Sequence, residues 1–293
     1  MIHVACCFDG HFQTAFAVLA HSIERHSVSE VVIHAIHDGP VPYADFVARH
    51  LRRTKVIFHD GTAVAGRFQD AGRQTRVTFV RLFLHDYFVG IPKVLYLDAD
   101  IVVRRDLAAL FDAGPDRAPV AAALDYPLQL LAERQGFIYG LDTQWRTDDY
   151  IRNHLGLKDA ATYFNAGVLL IDLARYAASG APERAQAFLA RTGEASIFND
   201  QDALNVALEG NVETLDPRWN FNPDFMALAD EKPVSPALES ALRLCRDDPW
   251  IVHFAGLKPW ERKEAPGRWD LVFWENLFDL VAANAAAIGG TPR

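Results

Sequence analysis

Short apolar runs alternate with stretches of helical periodicity through the first hundred residues of this chain. The apolar runs lie at residues 2–8, 30–37, 55–60 and 93–98. After the first run, apolar side chains recur at the spacing of one helical face, at Phe12, Phe16, Leu19 and Ile23. Strands that alternate with helices form βαβ units, which build a mainly parallel sheet with helices on both faces. We therefore predict a doubly wound α/β fold, in which ligands bind beyond the carboxyl ends of the strands.

Strand and helix signals continue through the rest of the chain in a less regular order. Further strands are predicted at residues 119–124, 165–173 and 250–256. Further helices are predicted at residues 43–53, 75–88, 105–114, 181–192, 199–208 and 267–286. Residues 125–162 are polar and aromatic without a clear period, which predicts an excursion from the sheet or a lid.

The composition predicts a folded protein that does not bind nucleic acid. Half of the 293 residues are hydrophobic and the formal net charge is −9, whereas nucleic-acid binders present a basic face. No apolar run reaches the roughly 18 residues of a transmembrane helix, and the first strand begins without a signal-peptide pattern. The three cysteines form neither a disulfide framework nor a zinc-site spacing; they are Cys6, Cys7 and Cys245. We interpret them as buried thiols and predict a cytoplasmic location.

The last helical stretch carries an apolar stripe and an acidic face. The stripe consists of Leu271, Trp274, Phe278 and Val281, and the acids are Asp270, Glu275 and Asp279. A helix that lies on a membrane surface is usually basic. We therefore predict that the stripe packs on the core or on a partner, and a second copy of this chain is one such partner.

Two carboxylates interrupt the apolar run "VLYLDADIVV", at Asp98 and Asp100. An unpaired buried carboxylate is costly, and two of them one residue apart repel each other. Both fall at the end of a predicted strand, where a ligand site is expected. Hard oxygen ligands close together suit Mg²⁺ or Mn²⁺ better than zinc. We interpret the pair as a divalent-metal site; the alternative is a solvated turn in which one aspartate caps a helix.

Two classes of enzyme carry such a pair. In haloacid-dehalogenase-like phosphatases the first aspartate, here Asp98, is a nucleophile, and "YLDADIV" satisfies their signature. In nucleotide-diphospho-sugar glycosyltransferases the pair holds a metal against the pyrophosphate. The phosphatase signature belongs on the first strand, but here at least three strands precede it. Its second acidic motif should follow a strand, yet the acids of "CRDDPW" precede one. The phosphatase is therefore the alternative.

Five segments together resemble the family 8 retaining glycosyltransferases, which include bacterial lipopolysaccharide galactosyl- and glucosyltransferases and glycogenin. The segments, in the order of that family, are "VRLFL", "LYLDADIVV", "YFNAGVLLIDL", "NDQDALNVAL" and "IVHFAGLKPW". The resemblance implies a Rossmann-like nucleotide-diphospho-sugar transferase fold in one domain. It also implies transfer of glucose or galactose from a UDP-sugar with retention of configuration. We expect the catalytic domain at residues 1–262 and the C-terminal amphipathic helix and tail at 263–293.

The resemblance supplies a third metal ligand and a binding site for the diphosphate. It implies that His253 joins Asp98 and Asp100, with Ala99 between them in the donor site. Because imidazole is softer than Mg²⁺ prefers, Mn²⁺ is the expected metal and Mg²⁺ the alternative. Gly256 lets the backbone approach a phosphate, and Lys258 offers it a point charge.

The resemblance also implies the residues that meet the donor sugar. They are Arg81, Asn165, Ala166, Asp200 and Gln201, of which Asp200 binds the sugar and Gln201 lies near the anomeric carbon. A glutamine is a poor nucleophile, which favours front-face retention through an oxocarbenium-like state. A covalent double displacement would require a carboxylate, and Asp202 or Asp125 is the candidate.

The uridine end of the site departs from the family pattern. Asp9 matches the aspartate that touches the base or ribose of UDP. The usual asparagine and tyrosine that follow are absent, and Gly10, His11 and Phe12 stand here instead. The acceptor site falls in variable loops such as 125–162, so lipopolysaccharide or another glycan is expected without further identification. A nucleotide-sugar-binding protein without turnover is a third interpretation.

Overall fold

A seven-stranded sheet forms the centre of the protein, seen here in a computed structural model that describes residues 1–68, 76–140, 142–229 and 234–289. The strands in chain order are β1 (Ile2–Phe8), β2 (Val31–His37), β3 (Thr54–Asp60), β4 (Lys93–Leu97), β5 (Ile101–Val103), β6 (Val120–Leu124), β7 (Phe137–Tyr139), β8 (Gln144–Arg146), β9 (Phe164–Asp172), β10 (Val212–Thr214) and β11 (Ile251–His253). Seven of them form the main sheet in the order β10-β6-β9-β4-β1-β2-β3.

The main sheet is mainly parallel, as predicted. Strand β1 pairs in parallel with β2 and β4, β2 pairs in parallel with β3, and β10 pairs in parallel with β6. Strand β9 is the exception, because it runs antiparallel to both of its neighbours, β4 and β6. It therefore presents its first residues, and not its last, at the end of the sheet where β4 finishes.

Thirteen α-helices occur within the described ranges. They are α1 (Gln13–His26), α2 (Ala44–Ala48), α3 (Thr62–Ala65), α4 (Leu84–Tyr87), α5 (Ala108–Phe111), α6 (Tyr126–Glu133), α7 (Thr147–Asp149), α8 (Leu173–Ala178), α9 (Ala181–Thr192), α10 (Asp200–Leu208), α11 (Pro223–Ala229), α12 (Pro236–Asp247) and α13 (Arg268–Gly289). Shorter 3₁₀ segments lie at Gly10–Phe12, Arg76–Phe83, Ala160–Thr162, Gly193–Ala195 and Pro217–Asn220. The helix predicted at 75–88 is thus mostly a 3₁₀ segment. Residue 75 of the predicted range lies outside the described residues. The helix predicted at 43–53 is shortened to α2.

The two faces of the sheet carry separate hydrophobic cores. Val4, Cys6 and Phe8 of β1 face one core, whereas Ala5 and Cys7 face the other. This alternation is the side-chain pattern of a strand that is covered on both sides. All three cysteines are buried free thiols, which agrees with their interpretation as structural residues.

Two small sheets complete the fold. Strand β11 pairs antiparallel with β5, so that His253 lies opposite Ile101. The strand predicted at 250–256 therefore exists, but it is shorter and lies outside the main sheet. The excursion predicted at 125–162 contains α6, the β7–β8 hairpin, α7 and a π-helical turn at Tyr150–His154.

The C-terminal helix α13 packs with a different face from the one that was predicted. Trp269, Phe273 and Leu280 are buried against the core. Of the predicted stripe, Leu271 is 46 %, Phe278 68 % and Val281 50 % exposed. For these three residues the core alternative of the prediction is wrong, because α13 is apolar on two sides and another face packs on the core. The partner alternative stays a prediction. No helix within the described ranges is long and apolar enough to cross a membrane.

Candidate active site

The two aspartates of "LDAD" lie in the connection between β4 and β5. Asp98 is held by three groups: its backbone N–H donates to Gly167 O at 2.9 Å, and its Oδ1 accepts from the Tyr96 hydroxyl at 2.8 Å. The third group is the Arg81 guanidinium, whose Nη2 lies 2.7 Å from Asp98 Oδ1. The methyl group of Ala99 is buried between the two aspartates. The position of the first carboxylate is therefore fixed from both sides.

Asp98, Asp100 and His253 converge on one point, with their ligand atoms within 4.8 Å of one another. His253 Nε2 lies 3.5 Å from Asp98 Oδ2 and 3.4 Å from Asp100 Oδ1. A Cβ atom on Gly167 would lie 2.1 Å from His253 Cε1 and 2.8 Å from Asp98 Oδ2. Only glycine leaves room for this convergence. Two carboxylate oxygens and one imidazole nitrogen form a donor set that fits a divalent ion such as Mn²⁺.

Lys258 lies beside the second aspartate. Its Nζ forms an ion pair with Asp100 Oδ2 and donates to Phe254 O at 2.7 Å. Burial by itself would raise the pKa of Asp100, but Lys258 and His253 outweigh it and lower that pKa. Asp100 is therefore a carboxylate at neutral pH, as a metal ligand must be.

Arg81 joins the metal cluster to α10. Besides its contact with Asp98, its Nε lies 2.9 Å from Asp200 Oδ2 and its Nη1 donates to Ala166 O at 2.9 Å. The guanidinium also lies over the Tyr96 ring, 4.4 Å from the ring centroid. Because Arg81 is buried and all its groups have protein partners, it holds the carboxylates in place.

Asp200 is a buried carboxylate with little compensation. It is 1 % exposed, and apart from the ion pair with Arg81 neither oxygen has a hydrogen-bond partner among the described residues. Burial raises the pKa of Asp200 to about 6, although Arg81 opposes this shift. A buried acceptor without a donor is costly, and such groups concentrate at functional sites.

Gln201, Asn165 and Asp125 form one hydrogen-bonded group beside Asp200. Gln201 Nε2 donates to Asp125 Oδ2 at 3.0 Å, and Asn165 Nδ2 donates to the same oxygen at 3.1 Å. Asp125 Oδ1 accepts the backbone N–H of Leu128 at 3.0 Å and so caps α6. Ala166 donates its backbone N–H to Gln201 Oε1 at 3.1 Å. Both oxygens of Asp125 are thus engaged in supporting bonds.

Asp202 points away from this group into the protein. Its carboxylate accepts hydrogen bonds from two tyrosine hydroxyls, one serine hydroxyl and one backbone N–H, those of Tyr150, Tyr163, Ser196 and Phe198. Burial raises its pKa, and these hydrogen bonds oppose the shift. Because four donors form hydrogen bonds with its carboxylate, both oxygens of Asp202 are engaged and neither is free to attack a sugar. Its role is structural, and the hypothesis of Asp202 as a nucleophile does not agree with this geometry.

The residues expected at the nucleotide lie around the end of β1. Asp9 Oδ1 accepts the backbone N–H of His11 at 2.8 Å and that of Phe12 at 3.2 Å. The Phe12 ring packs edge-on against Trp260, 6.0 Å between centroids, and Lys258 Nζ lies 5.9 Å from the same ring. The first strand and the "LKPW" segment therefore meet here.

Gly256, the glycine expected at the phosphate, also lies close to Asp224 of α11. A Cβ on Gly256 would lie 1.9 Å from Asp224 Oδ2. A side chain at this position would therefore displace the Asp224 carboxylate of α11.

Asn220 belongs to the site but was missed in the sequence. Its Oδ1 lies 2.8 Å from His253 Nδ1, and its Nδ2 donates to Asn165 Oδ1 at 2.9 Å. The neighbouring Phe221 pairs with β11, because His253 donates its backbone N–H to Phe221 O at 2.8 Å. Asn220 lies in a 3₁₀ turn without periodicity, and the only local signal is an asparagine next to a large apolar residue.

Comparison with known proteins assigns the chain to a family. Residues 3–264 match the model of glycosyl transferase family 8, and the chain belongs to this family. The resemblance found in the sequence is thereby confirmed. Asp98 follows the fourth strand and not the first, and nothing in the comparisons supports the phosphatase alternative.

Individual relatives agree with this assignment. The chain is 27 % identical over 191 residues to general stress protein A of Bacillus subtilis, covering 64 % of this chain and 59 % of that protein. It is 29 % identical over 194 residues to lipopolysaccharide glucosyltransferase WaaO of Escherichia coli, covering 64 % and 49 %. The chain thus spans about half to three-fifths of the length of these relatives.

A solved structure resembles the whole chain. The galactosyltransferase LgtC, in complex with donor and acceptor sugar analogues, superposes with a TM-score of 0.75 at 25 % identity. The match covers 95 % of this chain and 96 % of that one. The fold prediction, a nucleotide-diphospho-sugar transferase fold with a mainly parallel sheet, is confirmed.

Proposed function

We propose that this protein transfers a hexose, glucose or galactose, from a UDP-sugar to a glycan acceptor, with retention of configuration and with Mn²⁺ bound. One observation carries the proposal. Arg81 joins the convergent cluster of Asp98, Asp100 and His253 to the buried, unsatisfied Asp200. A site for a cation and its diphosphate thus lies next to an acceptor group that suits a sugar hydroxyl.

The metal cluster would hold one end of the donor. Asp98, Asp100 and His253 would bind the ion, which supplies positive charge to the leaving diphosphate. Lys258 reaches the same region and would add a second positive charge. Mg²⁺ is the alternative ion, and the imidazole in the donor set favours Mn²⁺. Asp9 would receive the uridine, beside the Phe12 ring.

The sugar would lie between α10 and the start of β9. Asp200 Oδ1, which has no partner among the described residues, would accept a hydrogen bond from a sugar hydroxyl, with Gln201 and Asn165 at the edge of the same space. Gln201 shares Asp125 with Asn165 and lies beside the backbone of Ala166. Arg81 keeps Asp200 and Asp98 at a fixed separation.

The proposed reaction is a front-face substitution. The bond between the anomeric carbon and the diphosphate oxygen breaks, and a bond to the acceptor oxygen forms on the same face. The acceptor proton passes to the leaving diphosphate oxygen. Asp125 has both oxygens in hydrogen bonds, and Asp202 is filled by four donors. A mechanism without a protein nucleophile therefore agrees best with the arrangement.

The test is UDP release from UDP-glucose and from UDP-galactose, with Mn²⁺, with Mg²⁺ and with EDTA. We expect slow release without an acceptor, abolished by EDTA and by Asp100→Asn. Arg152→Lys, on the exposed surface, is the matched control and should leave release unchanged. Binding of UDP and Mn²⁺ without any release would support the nucleotide-sugar-binding protein instead. Hydrolysis of p-nitrophenyl phosphate without release of UDP would overturn the proposal.

The acceptor is proposed to be a glycan, with lipopolysaccharide among the candidates. The relatives named for lipopolysaccharide glucosyltransfer support this class. The test incubates the protein with donor and a deacylated lipopolysaccharide core oligosaccharide. A mass increase of one hexose is the expected product. The predicted cytoplasmic location, where UDP-sugars are made, is retained in the proposal, and the three free thiols support it.

We also propose that α13 pairs with a second copy of this chain. Its exposed residues Leu271, Phe278 and Val281 follow the alternating spacing of a coiled-coil seam. Large side chains occupy the first half of this face and alanines the second half, at Ala282, Ala285 and Ala286. Antiparallel pairing about Phe278 would place Leu271 opposite Ala285 and Phe278 opposite its own copy, and would keep the two Asp270 ends apart. Light scattering should give a dimer, and Phe278→Glu should give a monomer; an unchanged monomeric mass in both would contradict the pairing.

A further inference from the structure

A chain of hydrogen-bonded side chains runs from the metal cluster to Gln201. It contains His253, Asn220, Asn165, Asp125 and Gln201. Backbone N–H groups anchor it at three points, and a backbone N–H can only donate. The direction of every hydrogen bond in the chain can therefore be worked out from these anchors.

The first anchor fixes the two asparagine amides. The Gly167 backbone N–H donates to Asn165 Oδ1 at 3.0 Å, so the oxygen of that amide faces Gly167. Asn220 also contacts Asn165 Oδ1, at 2.9 Å, and must therefore present its Nδ2. The Asn220 oxygen is left to face His253 Nδ1, at 2.8 Å.

This orientation determines the form of the His253 ring. An amide oxygen only accepts, so His253 Nδ1 must carry the ring proton. The lone pair is then on Nε2, the nitrogen that faces Asp98 and Asp100. A metal binds the unprotonated nitrogen, and its partner nitrogen is usually held by such a hydrogen bond. Asn220 is 5 % exposed, so the contact is largely shielded from bulk solvent.

The part of this hydrogen-bonded chain from Asn165 through Asn220 to His253 is the first arm, and the part from Asn165 through Asp125 to Gln201 is the second arm. The second arm contains the Gln201 amide. The Ala166 backbone N–H donates to Gln201 Oε1, so Gln201 Nε2 faces Asp125. Asp125 Oδ2 accepts from Gln201 and from Asn165, while its Oδ1 is held by the Leu128 backbone N–H. Rotation of either amide would place oxygen against oxygen. The two arms therefore support each other.

We propose that Asn220 is a positioning residue that sets the tautomer of His253 and, through Asn165 and Asp125, supports the Gln201 amide in the orientation that the Ala166 backbone N–H gives it. The part that concerns transfer rests on the proposed function. The part that concerns the tautomer does not, because it can be measured in the protein without metal or sugar.

The test uses two substitutions that separate the arms. Asn220→Asp keeps an oxygen for His253 but loses the donor to Asn165. Asn220→Leu loses both. Asn222→Ala is the control, because this neighbouring asparagine accepts the Asp224 backbone N–H and is not one of the hydrogen-bonded side chains between His253 and Gln201. Long-range ¹⁵N NMR of the histidine rings at pH 8 reads the tautomer, with His253→Gln to assign the signal. Electron paramagnetic resonance of free Mn²⁺ reads metal affinity.

The expected results differ between the variants. Wild type, Asn222→Ala and Asn220→Asp should show one tautomer with the proton on Nδ1 and Mn²⁺ affinities within about threefold. Asn220→Leu should show mixed tautomers and Mn²⁺ binding weaker by about 10- to 100-fold. Asn220→Asp should release UDP from the donor about tenfold more slowly, because the Gln201 arm is loosened.

Two outcomes would overturn the inference. One is a wild-type ring with its proton on Nε2. The other is Asn220→Leu with the tautomer and Mn²⁺ affinity of wild type. If Asn220→Leu does not fold, the Asn220→Asp variant, which preserves the side-chain shape, decides between the arms. A wild-type protein with the expected tautomer but without UDP release would contradict the proposed function and leave the tautomer assignment standing.

Discussion

Arg81 Nη2 lies 2.7 Å from Asp98 Oδ1, and Nε of the same guanidinium lies 2.9 Å from Asp200 Oδ2. One arginine therefore pairs with both carboxylates. Removing this cation leaves the buried Asp200 carboxylate without its ion pair and takes one partner from the half-buried Asp98. Arg81→Met should lower the free energy of unfolding by about 3–5 kcal/mol. Arg81→Lys keeps the charge but cannot reach Asp98, Asp200 and the Ala166 carbonyl together, so Mn²⁺ affinity should fall.

Urea unfolding and calorimetric Mn²⁺ titration check this prediction. The control is Arg152→Met, because Arg152 pairs with Asp148 on the exposed surface. Such a pair contributes about 0–1 kcal/mol. Equal losses at Arg81 and Arg152 would contradict the role assigned to Arg81.

Gly167→Ala should disrupt the cluster of Asp98, Asp100 and His253 while β9 stays folded. The new Cβ would lie 2.1 Å from His253 Cε1, and His253 cannot retreat because Asn220 holds its ring. We expect Mn²⁺ affinity to fall by about tenfold or more. Gly10→Ala is the control, since its Cβ would meet only Gln13 Nε2, at 3.6 Å. Retention of Mn²⁺ affinity in Gly167→Ala would show that the ligands converge differently.

Asp200 and Asp202 should respond in opposite ways to the same substitution. Asp202→Asn replaces an acceptor of four hydrogen bonds and should cost about 2–4 kcal/mol of stability. Asp200→Asn breaks the ion pair with Arg81, which keeps Asp98 as a partner, and removes a charge whose pKa burial has raised. Its stability should change by less than about 1 kcal/mol, while UDP release falls by about 100-fold.

Urea unfolding and UDP release measured on both variants give the comparison. Each aspartate serves as the control for the other, since they lie two residues apart on α10. Loss of release without loss of stability in Asp202→Asn would reverse the assignment of roles.

Phe273 and Phe278 test which face of α13 is packed. Phe273 is 2 % exposed and Phe278 is 68 % exposed. Phe273→Ala should lower the free energy of unfolding by about 3–5 kcal/mol. Phe278→Ala, measured in the monomer, should change it by about 0.5 kcal/mol at most. Thermal unfolding at low protein concentration distinguishes the two, and similar losses would mean that both faces are buried.

Stability should fall as the pH is lowered from about 6.5 towards 4. Burial lowers the pKa of His21 and His34 to about 4, and other histidines shift in the same direction, namely His3, His26, His50 and His59. The unfolded chain binds protons at about pH 6.5 and the folded chain does not, so protonation favours unfolding in this interval. Asp200, with its raised pKa, works in the opposite direction below about pH 6.

Thermal unfolding at pH 8, 6.5 and 5 measures this dependence. His34→Leu removes a ring that lies 3.0 Å from both His3 and His59. This variant should be less stable at pH 8 but lose less stability on acidification. An unchanged pH dependence in His34→Leu would contradict the contribution assigned to that ring.

The strands and the Asp98–Asp100 pair could be predicted from sequence because their signals are local. The apolar run before Asp98 and the two aspartates that end it lie within a few residues of each other. His253 lies far along the chain, and its place beside Asp98 and Asp100 followed only from the order of motifs in the family. Spacing along the chain contains no direct information about such a contact.

The features that were missed depend on tertiary packing. Asn220 reaches His253 only because Phe221 pairs with β11. Which face of α13 packs on the core could not be predicted because Phe273 and Phe278 are equally apolar, and only contact with α1 and the small sheet distinguishes them. The antiparallel direction of β9 depends on the path of the excursion before it, which has no periodic signal.

The pairing of β5 with β11 has a consequence for biosynthesis. This two-stranded ladder brings His253 opposite Ile101, directly after the two aspartates. During translation, Asp98 and Asp100 emerge long before their third partner. The cluster of Asp98, Asp100 and His253 therefore forms only when β11 has left the ribosome and docked. Metal capture would thus be among the latest events in the maturation of the chain, and a prematurely terminated product would lack the site.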